Sequence, residues 1–217
     1  MARSLGFSYR FTEANNFVAS TPSTDRYGTH HSFATALFVL DFMHWWAAHG
    51  CSGVCFHTGL TGFHAAIYVD GTGGYAAHPL GYGIAAFNLG GHGRIDHVAI
   101  VNPDALDLTA YAVTNSDHDL FVTLINREHG SYGRDALVRI NAIGRRAGVM
   151  YLAAPGRTVA AKTRVTLGGA SIDGNEPWRG RWSPVRTSGA AGYVVKVPFL
   201  SAAIVRIVDA RLTAPPG

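Results

Sequence analysis

Between Ser32 and His49 the chain offers almost no polar face. Phe33, Leu37, Leu40 and His44 recur at the three-to-four spacing of a helix, but Ala34, Ala36, Phe38, Val39, Phe42, Trp45 and Trp46 fill the other sides. Ser32 or Thr29 is placed to cap the start, and Gly50 to end it. A helix that is apolar all round belongs inside a larger structure. This constrains the fold more than any other stretch, because the flanking segments must supply walls on several sides. Asp41, in the middle of it, must find a partner or a wet edge, and reads as structural.

The neighbouring segments are strands. Phe7, Tyr9 and Phe11 alternate with smaller or polar residues, the two-residue period of a strand with one apolar face. That strand runs into Thr12-Glu13 and then Asn15-Asn16, a pair that favours a turn. Beyond the helix, the apolar run Gly53–His57 fits a parallel strand covered on both faces, with His57 at its tip. A glycine-rich excursion follows from Leu60 to Ala77. Pro79 then opens a short helix in which Leu80, Ile84 and Phe87 share a face and which Gly90-Gly91 closes. The order β-α-β-α is that of a parallel sheet with crossover helices.

From Arg94 the pattern changes. Ile95–Val101, Leu108–Val113 and Leu120–Ile125 read as strands. So do segments near Leu137–Ile140, Val149–Leu152, Thr163–Leu167, Tyr193–Phe199 and Ala203–Val208, with turn signals between them. Many short strands at this spacing indicate an antiparallel sandwich. The expected fold is therefore α+β and multidomain: a partial (β/α) barrel segment of two β/α units over residues 1–90, then an antiparallel β-sandwich over residues 91–217. Two units cannot close an eight-stranded barrel, which typically takes about 250 residues. The rest of the barrel is expected from another chain or from a longer protein.

Composition narrows the partners. No run of about 18 uncharged apolar residues exists, so no membrane span is expected. Met1–Gly6 lacks the apolar core of a signal peptide, and the compartment is left open. Cys51 and Cys55, beside or within an apolar strand, read as buried free thiols; a lone pair is at most half a zinc site. No histidine stands in an H-E-x-x-H arrangement, and no cofactor or metal is expected. Residues 1–126 carry four arginines against nine acids, whereas residues 127–217 carry fourteen Lys/Arg against five. The basic half holds its charges singly along strands, which suits a solvated sheet face better than a nucleic-acid surface.

Glu13 is the candidate for chemistry. The chain has three glutamates, Glu13, Glu128 and Glu176, and only Glu13 ends a strand that leads into a long helix. The tip of such a strand is where a (β/α) barrel carries its catalytic groups. The competing reading is a solvated loop carboxylate. For Asn15 and Asn16 both a hydrogen bond to a ligand and simple capping of the turn stay open.

Three stretches then carry a resemblance: Tyr9–Phe17 (YRFTEANNF), Ser32–Asp41 (SFATALFVLD) and Val54–Gly59 (VCFHTG). Together with His78–Gly83 (HPLGYG), Leu108–Val113 and Val122–Asn126, in this order, they resemble the C-terminal part of glycoside hydrolase family 79, which holds β-glucuronidases and heparanase-like enzymes. The resemblance implies that Glu13 is the nucleophile of a retaining glycosidase on the seventh barrel strand. It places His57 on the eighth strand at the sugar pocket, with Asn15 and Asn16 beside it, and makes a glycoside or uronic-acid-containing saccharide the substrate. The family's acid/base glutamate follows an asparagine on an earlier strand and has no counterpart here; Asn175-Glu176 reads as a turn in the sandwich. The family's Tyr-glycine segment after the nucleophile is replaced by Val18-Ala19-Ser20.

The chain is accordingly expected to be a glycosidase part, inactive alone, completed by the missing N-terminal barrel part. The alternative is a non-catalytic remnant or a carbohydrate-binding β-sandwich module. In that case Trp178 and Trp182, near Arg179 and Arg181, would stack on sugar rings; the plainer reading of both is a packed corner.

Overall fold

The computed structural model describes residues 8–15, 31–58, 65–174, 176–187 and 192–213. Strands β1 (Tyr9–Ala14) and β2 (Cys51–Phe56) pair in parallel and are joined across the helix α1 (Phe33–Ala48). Tyr9 and Phe11 of β1 meet Phe42 and Trp46 of α1, ring against ring, with Phe11 and Trp46 centroids 4.7 Å apart. Aromatic pairs at such tilted angles add to the stabilisation from burial alone. Ser32 holds the N-cap position in an extended conformation but makes no side-chain cap. The Thr35 hydroxyl instead donates back to the Ser32 carbonyl. Gly50, at φ 85°, turns the chain out of the helix, as glycine does without penalty.

The glycine-rich excursion contains a hairpin that its composition hides, β3 (Ile67–Val69) and β4 (Tyr75–Ala77). Asp70 closes its turn by accepting from the backbone N–H groups of Thr72 and Gly74. These bonds, with one from the Thr72 hydroxyl, hold its carboxyl below the usual range. The helix α2 (Pro79–Leu89) follows, starting on Pro79 as expected. It crosses α1 at Gly83, where a Cβ would stand 2.3 Å from the Ala36 carbonyl oxygen. Only glycine permits that crossing distance.

The strand-rich part contains β5 (Arg94–Asp96), β6 (Leu108–Thr114), β7 (Leu120–Asn126), β8 (Ala136–Ile140), β9 (Ala142–Ile143), β10 (Arg146–Ala153), β11 (Thr166–Leu167), β12 (Ser183–Val185), β13 (Tyr193–Val197), β14 (Ser201–Val208) and β15 (Arg211–Leu212). The large antiparallel sheet runs β11-β10-β14-β7-β6-β5, with β12 added beside β10. The pair β8–β13 packs on one face of it, through Leu124, Val149, Tyr193, Val195, Val205 and their neighbours. The other face is covered by the helices, through Leu37, Leu40, Tyr82, Met150, Leu152 and Ile204. Double coverage explains why β7 is buried along its whole length and β14 nearly so. An uninterrupted apolar run is usual for parallel strands between helix layers; here it marks antiparallel strands between a sheet and helices.

Several details differ from expectation. β2 is not covered on both faces: Ser52 and Cys55 are exposed and Cys51 is only partly buried, because just one side of the strand packs on α1. The run Thr163–Leu167 is a strand only at Thr166–Leu167. The run Ile95–Val101 forms a strand only as Arg94–Asp96, paired with the end of β6. Beyond Asp96 the chain leaves the sheet edge, and Asn102 closes a turn on both the N–H and the carbonyl of Leu106. Helix α1 is not enclosed all round either, because Phe38 and Trp45 stay 36% and 44% exposed.

Asp41 has the partners its position demands. Its Oδ1 accepts from the Thr109 and Tyr111 hydroxyls, each at 2.8 Å, and its Oδ2 from Arg127 Nη1 at 2.6 Å. Arg127 reaches Asp107 through Nη2 as well. Burial, reinforced by the bond to Asp41, raises the Tyr111 hydroxyl far above the ordinary phenol range. Beside this cluster His44 lies stacked on Tyr111 and edge-on to Phe87. Burial drives its pKa down to about 4, so the ring is neutral in the folded protein at neutral pH.

Candidate functional site

β1 and β2 end side by side, with the ladder running one step past them through the His57 N–H donating to the Ala14 carbonyl. The register slips between Phe11 and Ala14, so that Thr12 and Glu13 are both exposed in succession. Irregularities of this kind collect at barrel rims and active sites because they re-aim a side chain. Here the slip falls at Glu13. Its Oε1 lies 3.1 Å from Nδ1 of His57, within reach of a ring N–H donated to the carboxylate. The two side chains are 72% and 58% exposed, so the pair stands open to solvent.

Below the tip, one face of the strand pair carries Arg10 beside Gly53 and Cys55. The guanidinium lies 3.4 Å from where a Gly53 Cβ would stand and donates to the Cys55 thiol. The opposite face packs on α1. Asn15 is described just after β1, whereas Asn16 lies outside the described residues.

A second group at the same ends of the helices escaped the sequence reading. His78 holds the N-cap position of α2 and stacks on Tyr68 of the β3–β4 hairpin at 4.1 Å and on His31 at 3.6 Å. Burial lowers the His78 pKa to about 4. The motif His78-Pro79 was visible in the sequence; its stacking partners, 47 and 10 positions upstream by number, were not.

The other glutamates are occupied in the strand-rich part. Glu128 is clasped by Arg134 and accepts from the Asp107 N–H, which lowers its pKa to about 2. Glu176 sits exposed beside Arg179. Among the described residues no three His, Cys, Asp or Glu side chains group as a metal site. No helix among them is long and apolar enough to cross a membrane. Among the described residues the strand tips thus offer a carboxylate beside an imidazole, an arrangement able to attack an electrophilic carbon.

No protein-family profile matches the chain, and no curated protein does. Solved structures do. A 4-O-α-L-rhamnosyl-β-D-glucuronidase from Fusarium oxysporum superposes with a TM-score of 0.69 at 14% identity, over 94% of this chain and 44% of that one. The GH51 arabinofuranosidase of Xanthomonas axonopodis pv. citri gives 0.64 at 15% identity, over 94% and 42%. The catalytic domain of the GH30 xylanase C from Talaromyces cellulolyticus gives 0.60 at 13% identity, over 93% and 41%. The chain therefore has a glycoside-hydrolase-like fold, of the α+β class, and spans less than half the length of these similar structures.

Proposed function

We propose that this chain is the C-terminal portion of a retaining glycoside hydrolase of the family 79 type, acting on a β-linked uronic-acid-containing saccharide once the barrel is complete. Residues 1–90 would be the last quarter of the (β/α)8 barrel and residues 91–217 its β domain. The observation that carries the reading is the Glu13–His57 pair on adjacent tips of two parallel strands. The half-open aromatic face of α1, lined by Phe38, Phe42, Trp45 and Trp46 around Asp41, supports it, being a surface of the kind a further β/α unit would cover. A glucuronidase among the similar structures supports the choice of sugar.

In this mechanism the Glu13 carboxylate attacks the anomeric carbon while the bond to the leaving oxygen breaks. A second carboxyl group, about 5–5.5 Å from the first, supplies the proton to that oxygen and then takes one from water as the glycosyl ester is hydrolysed. His57 orients Glu13 for the attack. The second carboxyl would come from the completing barrel part, so the chain alone is inactive.

The test is hydrolysis of an aryl β-glucuronide by the purified chain, alone and co-expressed with polypeptide encoded directly upstream of it. The expected result is no turnover alone, turnover on co-expression, and loss of at least about a thousand-fold in Glu13→Gln. A 2-fluoro-glucuronyl fluoride should leave a covalent adduct on Glu13, seen by peptide mass. Turnover that survives Glu13→Gln would overturn the proposal.

A further inference from the structure

Away from the strand tips, the helix-side face of the large sheet emerges from under α1 and α2 as a groove of about 310 Å³ between β12 and β14. This is near the lower end of small-ligand sites, about 300–1,000 Å³. Gly148 floors it. A Cβ there would lie 3.3 Å from Cβ of Trp182 and 3.5 Å from its ring, so the indole is seated directly over the glycine backbone. Trp178 is different: its Nε1–H donates to the Leu167 carbonyl, and its ring packs so tightly on Gly180 that it is the corner residue of this loop. Only Trp182 of the two lines the groove.

Two arginines line it as well. Arg206 is held by Asp119, with Nε and Nη2 at 2.9 and 2.6 Å, and its guanidinium carbon lies 5.6 Å from the Phe121 ring centroid. Those two nitrogens neutralise Asp119 and leave Nη1 outside the pair. Arg146 makes no ion pair with any described residue. The groove therefore joins an indole surface, an uncompensated guanidinium and a pre-oriented one, in the half of the chain that carries fourteen Lys/Arg against five acids.

We infer that this groove binds an acidic oligosaccharide, with a sugar ring against Trp182 and a hexuronate carboxylate on Arg146 and Arg206. The planar guanidinium fork of Arg146 matches a carboxylate in two bonds at once, with Nη1 of Arg206 left to add a further donor, and an amphipathic indole suits the apolar face of a pyranose. The single aromatic favours a sugar over a nucleic-acid strand, which would call for successive stacking platforms. The site uses none of the elements that carry Glu13 and His57. It needs the glycoside-hydrolase-like fold only for the choice of saccharide.

The test is a calorimetric titration of the full 217-residue chain at low ionic strength with tetragalacturonate, its methyl ester, a hyaluronan tetrasaccharide and a single-stranded tetranucleotide. An acidic tetrasaccharide is expected to bind about ten-fold or more tighter than the neutral ester, one charge-assisted contact's worth. Arg146→Gln should weaken it about ten-fold and Trp182→Ala more, while Glu13→Gln leaves it unchanged and so separates this site from the catalytic one. Arg146 is exposed, so its variant decides the outcome if Trp182→Ala fails to fold. Equal binding of the ester, binding of the tetranucleotide as tight as that of the saccharides, an unchanged Arg146→Gln, or no binding of either acidic tetrasaccharide would each overturn the inference.

Discussion

Two faces of α1 carry the same kind of side chain and meet opposite surroundings. The inner face, with Phe33, Ala36, Leu37 and Leu40, is at most 3% exposed and shares one core with Met150, Leu152 and Ile204 of the large sheet. The outer face, with Phe38, Phe42, Trp45 and Trp46, packs on the aromatic side of β1 and is otherwise half open. Apolar composition therefore says that a surface will be covered, not by what. On the inner side the cover is this chain's own sheet. On the outer side the proposal assigns it to the completing barrel.

A substitution at the inner face should cost the most. Ile204, fully buried between β7 and β10, cannot be shortened without leaving a cavity. Ile204→Ala should cost about 3–4 kcal/mol in urea unfolding. A cost below about 1 kcal/mol would mean that this layer is loosely packed.

The next largest effect is a pH dependence. His44 sits in the folded core with a pKa lowered from 6.5 to about 4, so the unfolded chain takes up its proton first as the medium is acidified. Its contribution is complete above pH 6.5 and declines as pH falls from there towards 4, by about 1.4 kcal/mol per unit and roughly 3 kcal/mol in all. Stability measured across that window should fall at least along this slope, and His44→Leu should reduce it, leaving the share of His78, whose pKa burial also lowers to about 4. An acid limb of unchanged slope in the variant would assign the effect to other groups.

The smallest effect is expected on the outer face. Trp45 is 44% exposed and its ring stacks on His49, so Trp45→Gln loses only part of a side chain's burial and should cost about 1–2 kcal/mol. The same change should reduce self-association on size exclusion, since it removes part of an exposed aromatic patch. A large destabilisation with unaltered elution would show that the outer face already serves this chain's own core.

Much of the fold could be read from local pattern. The spans of both helices, the terminating Gly50 and Gly90-Gly91, and the longer strands β6, β7, β8, β10, β13 and β14 follow from periodicity and turn chemistry, whereas the short β9, β12 and β15 carry too few residues to show a period. The need of Asp41 for partners was equally legible, because a carboxylate midway along an apolar helix has few alternatives. Its actual partners, Thr109, Tyr111 and Arg127, lie 68 to 86 positions away, and nothing local points to them. The β3–β4 hairpin was masked by glycine, whose wide backbone freedom carries no pattern. Trp178 and Trp182 look alike in sequence. One is pinned to a carbonyl and the other lines a groove, because only Trp182 has Gly148 beneath it.

For the strand tips the division is similar. Sequence by itself determined that Glu13 ends a strand before a long helix and that His57 ends the next one. Those are consequences of period and turn residues, which act over a few neighbours. That the two side chains meet at 3.1 Å was decided by the parallel pairing and its slip between Phe11 and Ala14. The same holds for the doubly covered sheet. Which faces meet depends on contacts between residues far apart in the chain, and only the packed structure selects among them.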